Sequence, residues 1–265
     1  MIEVDAYRRL ALEAIGRRIG AVEADDTWFL KRGTDQTRLR EVLIGRRFIG
    51  ARRTGKLLML DVGHRSASAM TAEAVLGLRF GMTGRLVVDG RAGVGELLYT
   101  SNRTDPAWVR FAVRFAHGGS LEMHDPRRLG GVELDPDESL LGPDAASITW
   151  PELRDLLAGS TTSLKARLLD QSRIAGIGNL IADELLWRAG LDPARAAGSL
   201  DGREGRRLHR VMAPTLDDLT QRGGSHLGDL MPARGGGGRC PRDGAVLVRR
   251  TLGGRTSWSC PRHQR

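Results

Sequence analysis

The hydrophobic period of this chain changes once, near residue 140, and that change limits the folds open to it. Upstream the apolar residues alternate. In 109–115 (VRFAVRF), Val109, Phe111, Val113 and Phe115 share one face of an extended segment. Downstream of a stretch rich in Pro, Asp and Gly (LDPDESLLGPDA) they recur at helical spacing. Strands and helices segregated into separate blocks imply an α+β fold rather than alternating βαβ units.

The strand candidates in the first half are 57–62, 76–80, 85–88 and 109–115. His117-Gly118-Gly119-Ser120 supplies a turn that makes 109–124 a hairpin with one buried face, so this half reads as a β-sandwich or barrel. Residues 6–19 precede it as an amphipathic helix, with Leu10, Ala11, Ala14 and Ile15 on one face and arginines around it. In the second half, helices are expected over 150–158, 163–171, 179–189 and 202–221. Thr149, Thr162 and Asp201 serve as starts, and Gly190 and Pro193 end the third. The expected organisation is a first domain over 1–133, a linker over 134–148, a helical domain over 149–224, a flexible basic linker over 225–239, and a terminal hairpin over 240–265.

Composition narrows the partners. The 265 residues carry 41 bases against 32 acids, a net charge of +9, which favours a polyanion. Among the bases only Lys31, Lys56 and Lys165 are lysines, a bias that genome base composition explains equally well, although it leaves the net excess unexplained. No apolar run approaches the ~18 residues of a membrane span. Acids at Glu3 and Asp5 stand where a signal peptide would carry bases, so a protein neither inserted nor secreted is expected. Cys240 and Cys260 are the two cysteines, too few for a disulfide scaffold and compatible with a reducing cytoplasm.

Both cysteines lie in one pattern, Cys240-Pro-Arg-Asp243 and, sixteen residues on, Cys260-Pro-Arg-His263. Two knuckles so spaced bring four ligands round a tetrahedral ion, and zinc is the candidate. Asp243 stands where a third sulfur is expected and is a harder, less selective donor, which weakens the site. The alternative is a metal-free hairpin held by Val246, Val248 and Trp258. A second feature, Ile174-Ala175-Gly176-Ile177-Gly178-Asn179, opens the third helix of the second half, where free amides and the Asn179 side chain suit a phosphate. Such turns also serve simply for close packing, and this one gains meaning from its company. Arg52-Arg53-Thr54-Gly55-Lys56, Phe80-Gly81-Met82-Thr83-Gly84 and His124-Asp125-Pro126-Arg127-Arg128-Leu129-Gly130 all sit at strand ends. They offer bases for phosphates and apolar tips able to wedge into a duplex.

These segments, RRTGK, FGMTG, DPRRLG and DQSRIAGIGNLIADELLWRAG (170–190), resemble in order those of the formamidopyrimidine-DNA glycosylase and endonuclease VIII family, and the knuckles complete the pattern. The resemblance implies a β-sandwich, a helix-two-turn-helix domain and a zinc-finger-like hairpin. It implies a monomer that binds damaged or abasic double-stranded DNA, flips the lesion out and excises it in base excision repair, at the nucleoid in the cytoplasm. By position, Lys56 and Asn179 hold phosphates at the lesion, and Lys56 is also a catalytic candidate beside Met1 and Glu3. Met82 and Arg127 fill the vacated stack, Arg128 and Leu129 are DNA-binding neighbours in the same loop, and Arg255 is the phosphate-binding arginine of the finger. Leu129 replaces the family's aromatic wedge, which keeps apolar contact but loses stacking area.

The sequence departs from the family at its opening, which lacks the N-terminal proline whose amine attacks the sugar. In the better pairing Ile2-Glu3-Val4-Asp5-Ala6-Tyr7-Arg8-Arg9 matches the stretch after that opening, so nucleophile and glutamate are lost. In the other, Met1-Ile2-Glu3 matches Met-Pro-Glu, Glu3 keeps the catalytic place and Met1 is retained. Three outcomes stay open: the Met1 amine substitutes and forms a Schiff base, Glu3 activates water without one, or the protein binds damage without cutting it. The expected function is a DNA glycosylase, with AP lyase activity if an amine reacts, and the alternative is a noncatalytic damage binder.

Overall fold

The computed structural model describes residues 1–65, 70–100, 103 and 105–265, and the chain divides into two compact units, 3–138 and 1–2 with 139–265. Among the described residues the first unit holds α1 (Ile2–Ala11) from its second residue onward, α2 (Gln36–Leu43) and nine strands. These are β1 (Ile19–Glu23), β2 (Arg47–Thr54), β3 (Leu57–Arg65), β4 (Met70–Arg79), β5 (Arg85–Val88), β6 (Arg91–Ala92), β7 (Val109–Phe115), β8 (Ser120–His124) and β9 (Gly131–Leu134). Among the described residues they form two antiparallel sheets, ordered β1-β7-β8-β5-β6 and β2-β3-β4-β9. Phe48, Leu58 and Leu60 from one sheet meet Leu86, Phe111, Val113 and Leu121 from the other in a single core, so the unit is a sandwich.

The second unit contains α3 (Trp150–Leu157), α4 (Leu164–Leu169), α5 (Asn179–Ala189), α6 (Gly202–Arg222) and a hairpin of β10 (Val248–Leu252) and β11 (Arg255–Ser259). Local chemistry sets the helix ends. Thr149 and Glu152 form a reciprocal capping box on α3, and Asp201 and Glu204 form another on α6. Each such cap is worth about 1 kcal/mol. Gly190 closes α5. Ser163, rather than Thr162, caps α4, because its side chain receives the Ala166 amide.

Three expectations change. The first helix runs from Ile2 to Ala11 and gives way to a 3-10 turn, with Ile15 extended and Gly16 at φ +79°, a conformation that ends the helical stretch before Ile19 enters β1. Glu3 and Asp5 occupy the first turn of α1, where they complement the helix dipole. Residues 225–239, expected as a flexible linker, are tied to α5: the Glu184 carboxylate accepts from the Asp229 and Leu230 amides, and Arg234 donates to Asp183 at 2.8 Å. The strands β1, β2, β6 and β9 escaped the periodicity reading because they are short or carry polar residues on both faces. Met1 and Ile2 are buried with Ile148, Ile174 and Ile177 in the core of the helical unit.

Candidate functional site

Strand register gathers the candidate residues of the sandwich at one end of one sheet. Leu57 pairs with Arg79, and Arg79 pairs with Gly131. The β2–β3 turn bearing Lys56, the 80–84 turn bearing Met82 and the 125–130 loop bearing Arg127, Arg128 and Leu129 therefore lie side by side. The last two also each connect one sheet to the other. Met82 and Leu129 are 50% and 44% exposed, unusual for such apolar side chains and apt for a wedge. Gly81 has φ +58°, and a Cβ there would lie 2.7 Å from that of Leu129, so the two loops touch through a position open only to glycine.

One buried carboxylate organises both loops. Asp125, fully buried, accepts from the Thr83 hydroxyl at 2.6 Å, the Gly130 amide at 2.7 Å and the Arg127 amide at 3.1 Å. It thereby sets the positions of Met82 and of Arg127 to Leu129. Asp26 adds an ion pair to Arg128 at 2.7 Å, while Arg128 itself sits at φ +54°. Neither Thr83 nor Asp125 stands out in the sequence as a site residue, although both fall inside the quoted motifs. The available signal was a single aspartate preceding proline in a turn-forming run.

The start of α1 joins the same end. The Tyr7 hydroxyl donates to the Gly84 carbonyl at 3.0 Å, and its ring lies 4.4 Å from that of Phe80. Burial, reinforced by the negative charge of Glu3, pushes the Tyr7 phenol far above its ordinary range, while Arg85 opposes this. Glu3, one helical turn before Tyr7, thus shares an electrostatic neighbourhood with the Met82 turn. Glu3 and Lys56 are both half-buried, whereas Met1 clusters with the helical unit.

In the helical unit, Asn179 is the first residue of α5, and its buried Oδ1 has no hydrogen-bond partner among the described residues. Gln171 pins the turn before it, donating to the Ile177 carbonyl at 3.0 Å and accepting from the Gly176 amide at 3.0 Å. Arg255 is exposed where β11 begins, after the Gly253-Gly254 turn. The hairpin is anchored by a buried ion pair that sequence reading missed. Lys165 on α4 meets Asp183 on α5 at 2.6 Å, Lys165 also donates to the Thr256 carbonyl, and Asp183 accepts from Ser257 and the Trp258 amide. Burial lowers the Lys165 ammonium, against the pull of Asp183. A lysine on the apolar face of a helix, between Leu164 and Leu168, was the signal.

Cys240, Asp243, Cys260 and His263 converge, their ligand atoms all within 4.8 Å of one another, and can hold a metal ion. The surroundings orient them. The Trp187 indole donates to Cys240 Sγ at 3.3 Å, and with Nδ1 facing the cluster the His263 Nε2 lies 3.3 Å from the Trp187 carbonyl. The Ala245 amide is the main reason that the Asp243 carboxyl is held well below its usual range, ahead of contacts from Cys260 and His263 that offset its burial. Burial raises the Cys260 thiol.

The formamidopyrimidine-DNA glycosylase N-terminal domain matches residues 1–132, and the H2TH domain of the same glycosylase matches residues 141–229. Formamidopyrimidine-DNA glycosylase of Heliobacterium modesticaldum is 32% identical over 251 residues, covering 85% of this chain and 84% of that protein. Its counterpart from Nocardia farcinica is 32% identical over 293 residues, covering 99% and 96%. A Lactococcus lactis structure of the enzyme with DNA containing FAPY-dG superposes with a TM-score of 0.81 at 25% identity, covering 100% of this chain and 99% of the other.

Proposed function

The chain belongs to the formamidopyrimidine-DNA glycosylase family, DNA glycosylases of DNA repair, and on that premise we propose which of its residues grip and act on damaged duplex DNA. The observation that carries the assignment is the gathering of Lys56, Met82, Arg127 and Leu129 at one end of the sandwich, with the Glu3–Tyr7 turn of α1 packed against the same loops. Met82, Arg127 and Leu129 enter the stack vacated by the flipped nucleotide. Lys56, Arg128, Asn179 and Arg255 bind phosphates. For Asn179, its place at the start of α5 supports this, because unpaired amides at a helix N-terminus attract anions.

Glu3 is the catalytic carboxylate. The family match begins at residue 1, which supports pairing Met1-Ile2-Glu3 with Met-Pro-Glu. As general base Glu3 takes a proton from water as the water oxygen bonds to the sugar carbon and the glycosidic bond breaks, and the damaged nucleobase leaves with the electron pair of that bond and is protonated by solvent. A second reading has one observation in its favour: helix α1 starts at Ile2, so the Met1 amine lies two residues from Glu3, within about 7 Å of chain, and it serves as the nucleophile of a Schiff base.

The knuckle cluster fits zinc: two thiolates, an imidazole and a carboxylate suit a tetrahedral structural ion, and Cys240, Asp243, Cys260 and His263 would hold it. Its contribution when bound is to fix the hairpin that carries Arg255. Among the described residues no helix is long and apolar enough to cross a membrane, and we place the protein with the cytoplasmic nucleoid.

Borohydride trapping on an abasic duplex, run beside strand cleavage on oxidised bases, tests these assignments. Base release without an adduct, abolished in Glu3→Gln while DNA affinity persists, is expected. A covalent adduct through Met1 would transfer the chemistry to the amine, and binding with neither product would reject both.

A further inference from the structure

A concavity of about 600 Å³ opens at the knuckle end of the hairpin, lined by Arg188, Arg207, Arg242, Arg262 and Arg265, with Glu204 as the acidic side chain among its lining residues. Many arginines of the molecule are neutralised by acids, as in Arg17–Asp89, Arg46–Glu73, Arg79–Glu133, Arg114–Glu23 and Arg222–Asp218, and within this lining Arg188 is paired with Glu184, Asp218 and Asp229. Arg207, Arg242 and Arg262 differ. Arg207 Nε donates to the Ala189 carbonyl at 2.7 Å, Arg242 reaches the Arg188 carbonyl and stacks over the Trp187 ring at 4.8 Å, and Arg262 donates to the Asp243 carbonyl at 3.0 Å. Among the described residues none of the three forms an ion pair with a carboxylate. Glu204 offers no compensation, since both of its oxygens are engaged by Arg195 at 2.6 and 2.9 Å.

Capping the last carbonyls of α5 explains one edge of Arg207 and Arg242. It leaves the remaining N–H groups of three exposed arginines, each tethered through a hydrogen bond to a backbone carbonyl, available to a ligand. Rigid, uncompensated guanidiniums around a concave polar surface are what a phosphate chain requires. Arg255 stands at the other end of the hairpin, roughly 15 Å away along five-residue strands, too far for the same phosphate to touch both.

We propose that the surface around Arg207, Arg242 and Arg262 is a second phosphodiester-binding site, which takes a segment of DNA other than the one gripped through Arg255. Holding two segments lets the protein pass between them without full release, the transfer that salt-sensitive non-specific contacts permit.

The test is formation of a ternary complex. Protein saturated with a short lesion duplex is titrated at low salt with a separately labelled undamaged duplex. The second duplex is expected to bind, with a log–log salt slope near 2 to 3 if three arginines each release about one counterion. In Arg207→Gln/Arg242→Gln/Arg262→Gln its affinity should fall tenfold or more, with lesion-duplex affinity unchanged. Arg207→Gln alone, remote from the metal ligands in sequence, should give part of the loss. A ternary complex that survives the triple substitution overturns the proposal, as does an equal loss on the lesion duplex, which would put these arginines in the primary footprint. Displacement of the second duplex by polyglutamate as readily as by a DNA strand of equal charge would reassign the surface to an acidic protein chain. Because the readout is binding, failure of the excision assay would leave it standing.

Discussion

The Thr83 hydroxyl donates to the buried Asp125 carboxylate at 2.6 Å, and through this bond the turn that presents Met82 is fixed to the loop that presents Arg127 and Leu129. Two loops proposed to carry the wedge, 42 residues apart in sequence, are joined by it.

Breaking that bond should therefore cost recognition more than stability. Thr83→Val removes one buried hydrogen bond, about 1 kcal/mol. The expected result is a small drop in melting temperature together with a weaker preference for lesion over undamaged duplex. Asp125→Ala strands the Gly130 and Arg127 amides as well, at about 1–3 kcal/mol each, and should lower the melting temperature by several degrees. Differential scanning fluorimetry beside competitive binding separates the two effects; equal loss on lesion and undamaged duplexes would count against loop coupling.

Leu129 supplies apolar contact without an aromatic face. Leu129→Phe should add stacking worth about 0.5–1.5 kcal/mol and change discrimination among the four bases opposite the lesion, measured by binding to four matched duplexes. Arg127→Ala should reduce lesion preference most, since it removes charge and wedge together.

For the knuckles, Asp243 is the weak donor. Asp243→Cys should tighten zinc in a chelator competition, and Asp243→Ala should loosen it. Metal removal by chelation is expected to weaken DNA binding to the degree that Arg255→Ala does, because both act by disabling the hairpin tip.

Lys165 and Asp183 form a buried pair whose carboxylate also receives Ser257, the Trp258 amide and Arg234. Asp183→Ala leaves the ammonium uncompensated and should destabilise the protein by about 3–5 kcal/mol in denaturant titration. Lys165→Met, which leaves Asp183 its other donors, should cost less. An equal cost for both would mean that the ion pair outweighs the remaining donors of Asp183.

Much of the molecule was legible in the sequence because local chemistry governs it. Alternation marked β5 at Arg85–Val88 and β7 at Val109–Phe115, and capping residues marked α3, α5 and α6 almost to the residue. The helix at the amino end was misplaced because its burial divides between two cores: Met1 and Ile2 belong to the helical unit, and Val4 and Tyr7 to the sandwich. No single apolar stripe records such a split.

The sequence by itself determined the α+β class, the family motifs and the four positions that can hold a metal, since each depends on residue type and short spacing. Tertiary structure alone decided which motifs meet. Register brought Lys56, Met82 and Leu129 to one sheet end, Asp125 and Gln171 became organising groups through bonds to distant or backbone partners, and Lys165 found its counter-ion eighteen residues away. These relationships arise from hydrogen-bond satisfaction and charge pairing in buried space, which spacing along a chain does not encode.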